Sequence, residues 1–152
     1  MKITVVNPTS TKINATRLQK SLQLILRTMT LQKIRNKKWL KEKKEIVFIF
    51  LNSKEMQQIN KTYRKKNKPT DVLSFESADP EALGEIAFCL PVLTKQAKQQ
   101  KHSVDQELQY MMIHGLLHLL GYDHELSKAE EALMFRLQDF CFEQVCHLPK
   151  TF

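Results

Sequence analysis

The chain has 152 residues, the length of one ordinary domain, and its 42% hydrophobic and 26% charged residues exclude a disordered chain. No apolar run reaches the roughly 20 residues needed to span a bilayer, so no membrane partner is expected. The net charge of +8 is unevenly spread: residues 1–68 hold 18 Lys and Arg against 3 acidic residues, and residues 69–152 hold 6 against 13. That asymmetry points to a polyanionic partner for the first half, with a solvated lysine-rich surface as the alternative.

Residues 2–7 (KITVVN) alternate and are β-branched, which predicts a strand that Pro8 ends. The opening lacks the long apolar stretch of a signal peptide, so a cytoplasmic location is the default. Leu18, Leu22, Ile25 and Leu26 repeat at helical spacing and predict an amphipathic helix over 14–31. A lysine-rich connector around Trp39 follows at 32–44. Residues 45–51 (EIVFIFL) are continuously apolar and predict a strand buried on both faces. Asn52 with Glu55 forms a capping box for a helix to about Tyr63, and the basic loop 64–69 comes next.

Strands are predicted at 71–76 and 84–90, joined by a turn at 78–81. Pro91 suits the first turn of a helix to about residue 100. Ser103 with Gln106 caps a helix to about Leu120, which Gly121 stops. Ser127 with Glu130 caps a last helix to about Cys146. These elements make a single α+β domain over residues 1–152. It would have a small mixed four-stranded sheet and four to five helices, laid on one face of the sheet. Cys89, Cys141 and Cys146 are odd in number and lack paired spacing, so reduced, mostly buried thiols are expected instead of a disulfide framework.

The chemistry sits in residues 114–124, HGLLHLLGYDH. His114 and His118 are i, i+4 on a helix, so their rings share one face and can hold one ion. Gly121 reverses the chain and lets His124 return as a third ligand. Three protein ligands leave one tetrahedral position open, the catalytic pattern for zinc; another divalent transition metal would also fit. The spacing matches the long zincin motif, giving a zincin-like metal helix, but Gly115 stands where a zincin peptidase has its general-base Glu. A glycine in mid-helix suggests close approach of another group to the backbone, with simple packing as the alternative. Asp123 could orient a ligand ring or cap the turn, and the residues alone leave both open. His102 and His147 lie outside this constellation and receive no role.

These residues resemble the YbeY family, bacterial rRNA maturation factors described as metal-dependent endoribonucleases. The 114–124 segment matches its HG-x-LHL-x-GYDH signature. Asn60 through Arg64 and Pro69 through Phe75 are similar to its N-x-x-YR…PT-D-VLSF element. Leu83-Gly84-Glu85-Ile86 is similar to its LGDI element, with Glu85 for the usual Asp. The likeness covers residues 46 to about 145, and the lysine-rich 33–44 segment is outside the signature.

The resemblance implies one zinc-like ion on the three histidines. It implies single-strand-specific cleavage in small-subunit ribosomal RNA maturation and ribosome quality control. Ribosomal RNA and the small ribosomal subunit would be the partners, with no DNA expected. The family's functional arginine would fall on Arg64. The metal would activate water or polarise the scissile phosphate, and Arg64, whose planar fork matches two phosphate oxygens, would stabilise the transition state. Lys61, Lys65, Lys66 and Lys68 are candidate RNA contacts. Asp71 and Ser74 are weaker site candidates that could simply begin or pack a strand. Two other readings stay open, since no general base is visible: a non-catalytic ribosome-assembly factor that uses zinc to hold its fold and binds rRNA, and a metallohydrolase of another substrate.

Overall fold

A computed structural model describes residues 1–146; His147 lies outside the described residues. The elements in chain order are β1 (Lys2–Val6), α1 (Ala15–Thr30), α2 (Trp39–Glu42), β2 (Glu45–Leu51), α3 (Ser53–Arg64), β3 (Val72–Glu76), β4 (Ala82–Cys89), α4 (Leu90–Gln100), α5 (Val104–Leu119) and α6 (Lys128–Val145). The sheet order is β1-β2-β4-β3. β1, β2 and β4 run parallel, and β3 returns antiparallel on the edge beside β4. No helix among the described residues is long and apolar enough to cross a membrane.

Alternation along the two central strands divides the apolar residues between the faces of the sheet. Ile46, Phe48 and Phe50 of β2 and Ile86 and Phe88 of β4 point to one face and are fully buried. There they join Leu18, Leu22, Ile25 and Met29 of α1 and the apolar side of α5 in one large core. Leu51, Leu73, Ala87 and Cys89 point to the other face, where Met56 of α3 covers them. The expected one-sided layout is therefore corrected. α3 packs behind the sheet because its apolar residues face this second, smaller cluster.

The helix count is also corrected, from four or five to six among the described residues. The extra one is α2, a single turn inside the lysine-rich connector. Backbone bonds from Trp39, Leu40 and Lys41 back to Asn36, Lys37 and Lys38 hold it, and Leu40 anchors it in the core at 5% exposure. Four residues with a single buried side chain give no periodicity to read.

The capping residues behave as their types dictate. Asn52 with Glu55 and Ser103 with Gln106 each make both bonds of a capping box. Ser127 accepts only the Glu130 N–H, since the Glu130 carboxylate is engaged elsewhere. Lys65, in the left-handed region at φ 60°, ends α3, so Arg64 is its last helical residue and not part of the loop. The three cysteines are unpaired, with Cys89 and Cys141 buried.

Candidate metal centre

The site is built where α5 ends. Gly121, at φ +90°, closes the helix with two bonds, its own N–H to the His118 carbonyl at 2.9 Å and the Tyr122 N–H to the Leu117 carbonyl at 3.1 Å. Tyr122 is buried behind the turn at 3% exposure. The reversal returns His124 over the face that carries His114 and His118. Ring centroids are 4.7 Å apart for His114 and His118, 5.1 Å for His114 and His124, and 5.2 Å for His118 and His124.

One nitrogen from each ring lies within 4.8 Å of the other two. The Nε2 atoms of His114 and His118 are 3.1 Å apart. Two imidazoles on one tetrahedral zinc at roughly 2.0–2.1 Å would hold their nitrogens about 3.3 Å apart, so the donor set fits such an ion.

The protonation of His114 follows from its neighbours. Gln138 of α6 is fully buried, and its Nε2 donates to the Tyr110 carbonyl at 3.3 Å. Its Oε1 must then face His114 Nδ1, 2.9 Å away, which must donate. That places the lone pair of His114 on Nε2, toward the other rings. Burial holds the His114 pKa below its ordinary value, and the His124 ring and the Arg64 cation add to this. Burial pushes His118 down to about 4, with His114, His124 and Arg64 contributing. Both rings are therefore neutral near pH 7, the form that binds metal.

Nothing in the helical pattern of 114–124 reveals Gln138. It is readable only as the single polar residue in the buried stripe Met134, Gln138, Cys141, Val145 of α6. Gln138→Leu should keep the fold, since leucine suits that stripe. It should weaken zinc binding about 10- to 100-fold by freeing the His114 ring. Competition with a zinc-sensitive dye checks this, and unchanged affinity would remove Gln138 from the centre.

Gly115 has a packing reason. A Cβ there would stand 2.8 Å and 2.9 Å from two Ile86 methyl carbons and 3.1 Å from Ser74 Oγ. Position 115 thus packs against the sheet, where Ile86 and Ser74 leave little room for a side chain. Gly115→Ala gains helix propensity of about 1 kcal/mol but overfills a core that tolerates little. We expect a net loss of roughly 1–2 kcal/mol, read as a lower urea midpoint; an unchanged midpoint would refute the close packing.

A cleft of about 370 Å³ opens over the three histidines. Arg64, Lys66 and Lys68 line its far lip, and Phe135 closes one side with its ring 5.6 Å from that of His124. Asn60, 2% exposed, shapes the basic loop by donating to the Lys68 carbonyl at 2.8 Å. Lys61 and Lys65 are exposed on the α3 end and do not line the cleft.

Asp71 and Ser74 both line the cleft and both have structural bonds. Asp71 accepts from the Val72 N–H at 2.8 Å and from Gln96 Nε2 at 3.0 Å. Ser74 donates to the Gly115 carbonyl at 3.3 Å. Asp123 caps its turn by accepting the Glu125 N–H at 2.9 Å. Glu125, which sequence reasoning passed over, lines the cleft. Its Oε1 is 3.9 Å from Arg64 and 3.6 Å from Lys66.

The lysine-rich connector also reaches the site, from behind. Arg35 forms a two-pronged ion pair with Glu130 at 2.6 and 2.7 Å, and its guanidinium stacks 4.7 Å from the Tyr122 ring centre. It also donates to the Gly121 carbonyl at 3.3 Å, while Asn36 Nδ2 donates to the Leu120 carbonyl at 3.1 Å. These contacts hold residues 120–122, from which His124 hangs.

The family model described as Endoribonuclease YbeY matches residues 4–146. A Bdellovibrio bacteriovorus protein named Endoribonuclease YbeY is 42% identical over 146 residues, 94% of each chain. A Staphylococcus aureus protein of the same name is 43% identical over 107 residues, 62% of this chain and 68% of its own. Among solved structures, a Thermotoga maritima protein determined in solution aligns with a TM-score of 0.61 at 26% identity, over 94% of this chain and 88% of its own.

Proposed function

This chain belongs to the Endoribonuclease YbeY family, and from that premise we infer that it is a metal-dependent endoribonuclease that processes ribosomal RNA. The observation that carries the reading is the pairing of three convergent imidazole nitrogens with a lip of Arg64, Lys66 and Lys68 across one cleft. Small-subunit ribosomal RNA in single-stranded form is the substrate we assign, zinc the resident ion, and the cytoplasm the compartment.

A divalent ion would be held by His114, His118 and His124 and would supply Lewis-acid chemistry toward the phosphodiester. The chain does the rest. His114, held by Gln138, and the neutral His118 present lone pairs without first losing protons. Lys66 and Lys68 draw the RNA backbone into the cleft by charge. Arg64, at the end of α3, places its planar fork where charge develops on the phosphoryl oxygens. Asp71 is occupied by hydrogen-bond donors on both oxygens. Glu125 is therefore the cleft carboxylate we assign to accept the proton of the attacking oxygen, the role that position 115 cannot fill. The same observation at Gly115 counts against a peptidase of the zincin kind.

Chelation tests the reading. Metal-stripped protein should leave a single-stranded ribosomal RNA fragment intact, and one equivalent of zinc should restore cutting. Full cleavage by the stripped protein would sink it.

A further inference from the structure

A second depression, of about 610 Å³, adjoins the metal cleft, and Asp71 and Met111 line both. Its character is different. Its walls are rings: His102 and Phe142 stand 5.2 Å apart between centroids, and Tyr110 and Phe142 stand 5.1 Å apart. Two of these rings are locked from behind. His102 Nδ1 lies 3.0 Å from the Glu107 carboxylate, which is 3% exposed, and the Tyr110 hydroxyl donates to Asp139 at 2.8 Å. Asp139 and Glu143 are exposed at the edge. Gln96 reaches in from α4, with Nε2 on Asp71 and a buried Oε1 that has no hydrogen-bond partner. None of the aromatic groups takes part in the metal chemistry above.

The two depressions have opposite electrostatic sense. The metal cleft, with Arg64, Lys66 and Lys68, attracts phosphate. The aromatic depression, edged by carboxylates, repels phosphate but accepts N–H donors. A nucleotide has the same polarity, a phosphate at one end and a flat base with N–H groups at the other. Rings already held in place lose little freedom when a base stacks on them.

We propose that this depression is a subsite for the unpaired RNA base next to the scissile phosphate, with guanine the best fit. Guanine presents N1–H and an amino group side by side, a match for the two oxygens of one carboxylate such as Asp139 or Glu143. Uracil has a single N–H between two carbonyls, which a carboxylate repels. Both the stacking face and that edge are hidden in duplex RNA, so the subsite would enforce single-strandedness. The proposal rests on the nuclease reading and assigns it a substrate preference.

The test is a titration of metal-loaded protein with 5′-GMP, 5′-UMP and inorganic phosphate, followed by nuclear magnetic resonance. All three should shift signals of Arg64, Lys66 and Lys68. Only 5′-GMP should strongly shift the side-chain amides of Gln99 and Gln100 and the Phe142 ring, with 5′-UMP weaker and phosphate silent there. Phe142→Ala, and the exposed change Asp139→Asn in case the first disturbs packing, should each weaken 5′-GMP binding roughly tenfold and leave phosphate binding unchanged. Identical shift maps for 5′-GMP and phosphate, or equal subsite shifts from 5′-UMP and 5′-GMP, would overturn the subsite while the nuclease reading stands. Silence from all three probes in both regions would overturn the two together.

Discussion

His118→Ala should bind no zinc at micromolar metal and cut no RNA, while the metal-free variant melts close to the metal-free wild type. The reasons are local. His118 supplies one of three converging nitrogens, and its Nε2 is 3.1 Å from that of His114. With two ligands left, the site loses the three-point hold that catalytic zinc sites use. The fold should tolerate the change, because alanine is the best helix former and the position is near the end of α5. Removing a ring whose pKa is pushed down to about 4 also removes a group that opposes folding as pH falls. Its unfolded-state value is higher, so the unfolded chain binds more protons between roughly pH 6.5 and 4. The metal-free wild type therefore loses stability across that window, and the variant should lose less. Equal zinc content in variant and wild type would dismiss the three-histidine centre.

Arg64→Glu should give the opposite separation, with zinc retained and cleavage lost. Arg64 donates nothing to the histidines and sits across the cleft at the end of α3. Losing a positioned donor to developing phosphoryl charge costs about 10²–10³ in rate, and reversal of charge adds repulsion of the RNA backbone. Arg64→Lys separates geometry from charge, because an ammonium keeps the charge without the planar fork. It should fall between wild type and Arg64→Glu. Cleavage by Arg64→Glu at the wild-type rate would remove Arg64 from the mechanism and leave the basic lip as a binding surface alone.

The histidine cluster was legible because i, i+4 spacing and a following glycine are local facts, and local facts survive folding. The strands and five of the helices were legible for the same reason, through period-2 and period-3.6 patterns and paired capping residues. What was hidden came from elsewhere in the chain. Gln138 meets His114 across 24 positions, and Arg35 meets Glu130 across 95. Ser127 with Glu130 read as the cap of the last helix, yet the Glu130 carboxylate serves Arg35, a choice no local pattern records. The segment holding Arg35 read as a lysine-rich connector because its role lies in hydrogen bonds to the Leu120 and Gly121 carbonyls, which leave no periodic trace. Gly115 pointed to close approach, and the partner that approaches, Ile86, is set by the sheet.

The placement of Gln138 and Glu130 has a consequence for when the enzyme becomes active. Both belong to α6, the last element of the described chain. Synthesis delivers a protein N-terminus first, so the basic lip and all three histidines leave the ribosome before the residues that aim His114 and anchor Arg35. A half-made chain emerging beside ribosomal RNA thus carries the ligands without their alignment. The alignment of the His114 ring and of Arg35 therefore waits on residues of α6, made after the ligands that they position.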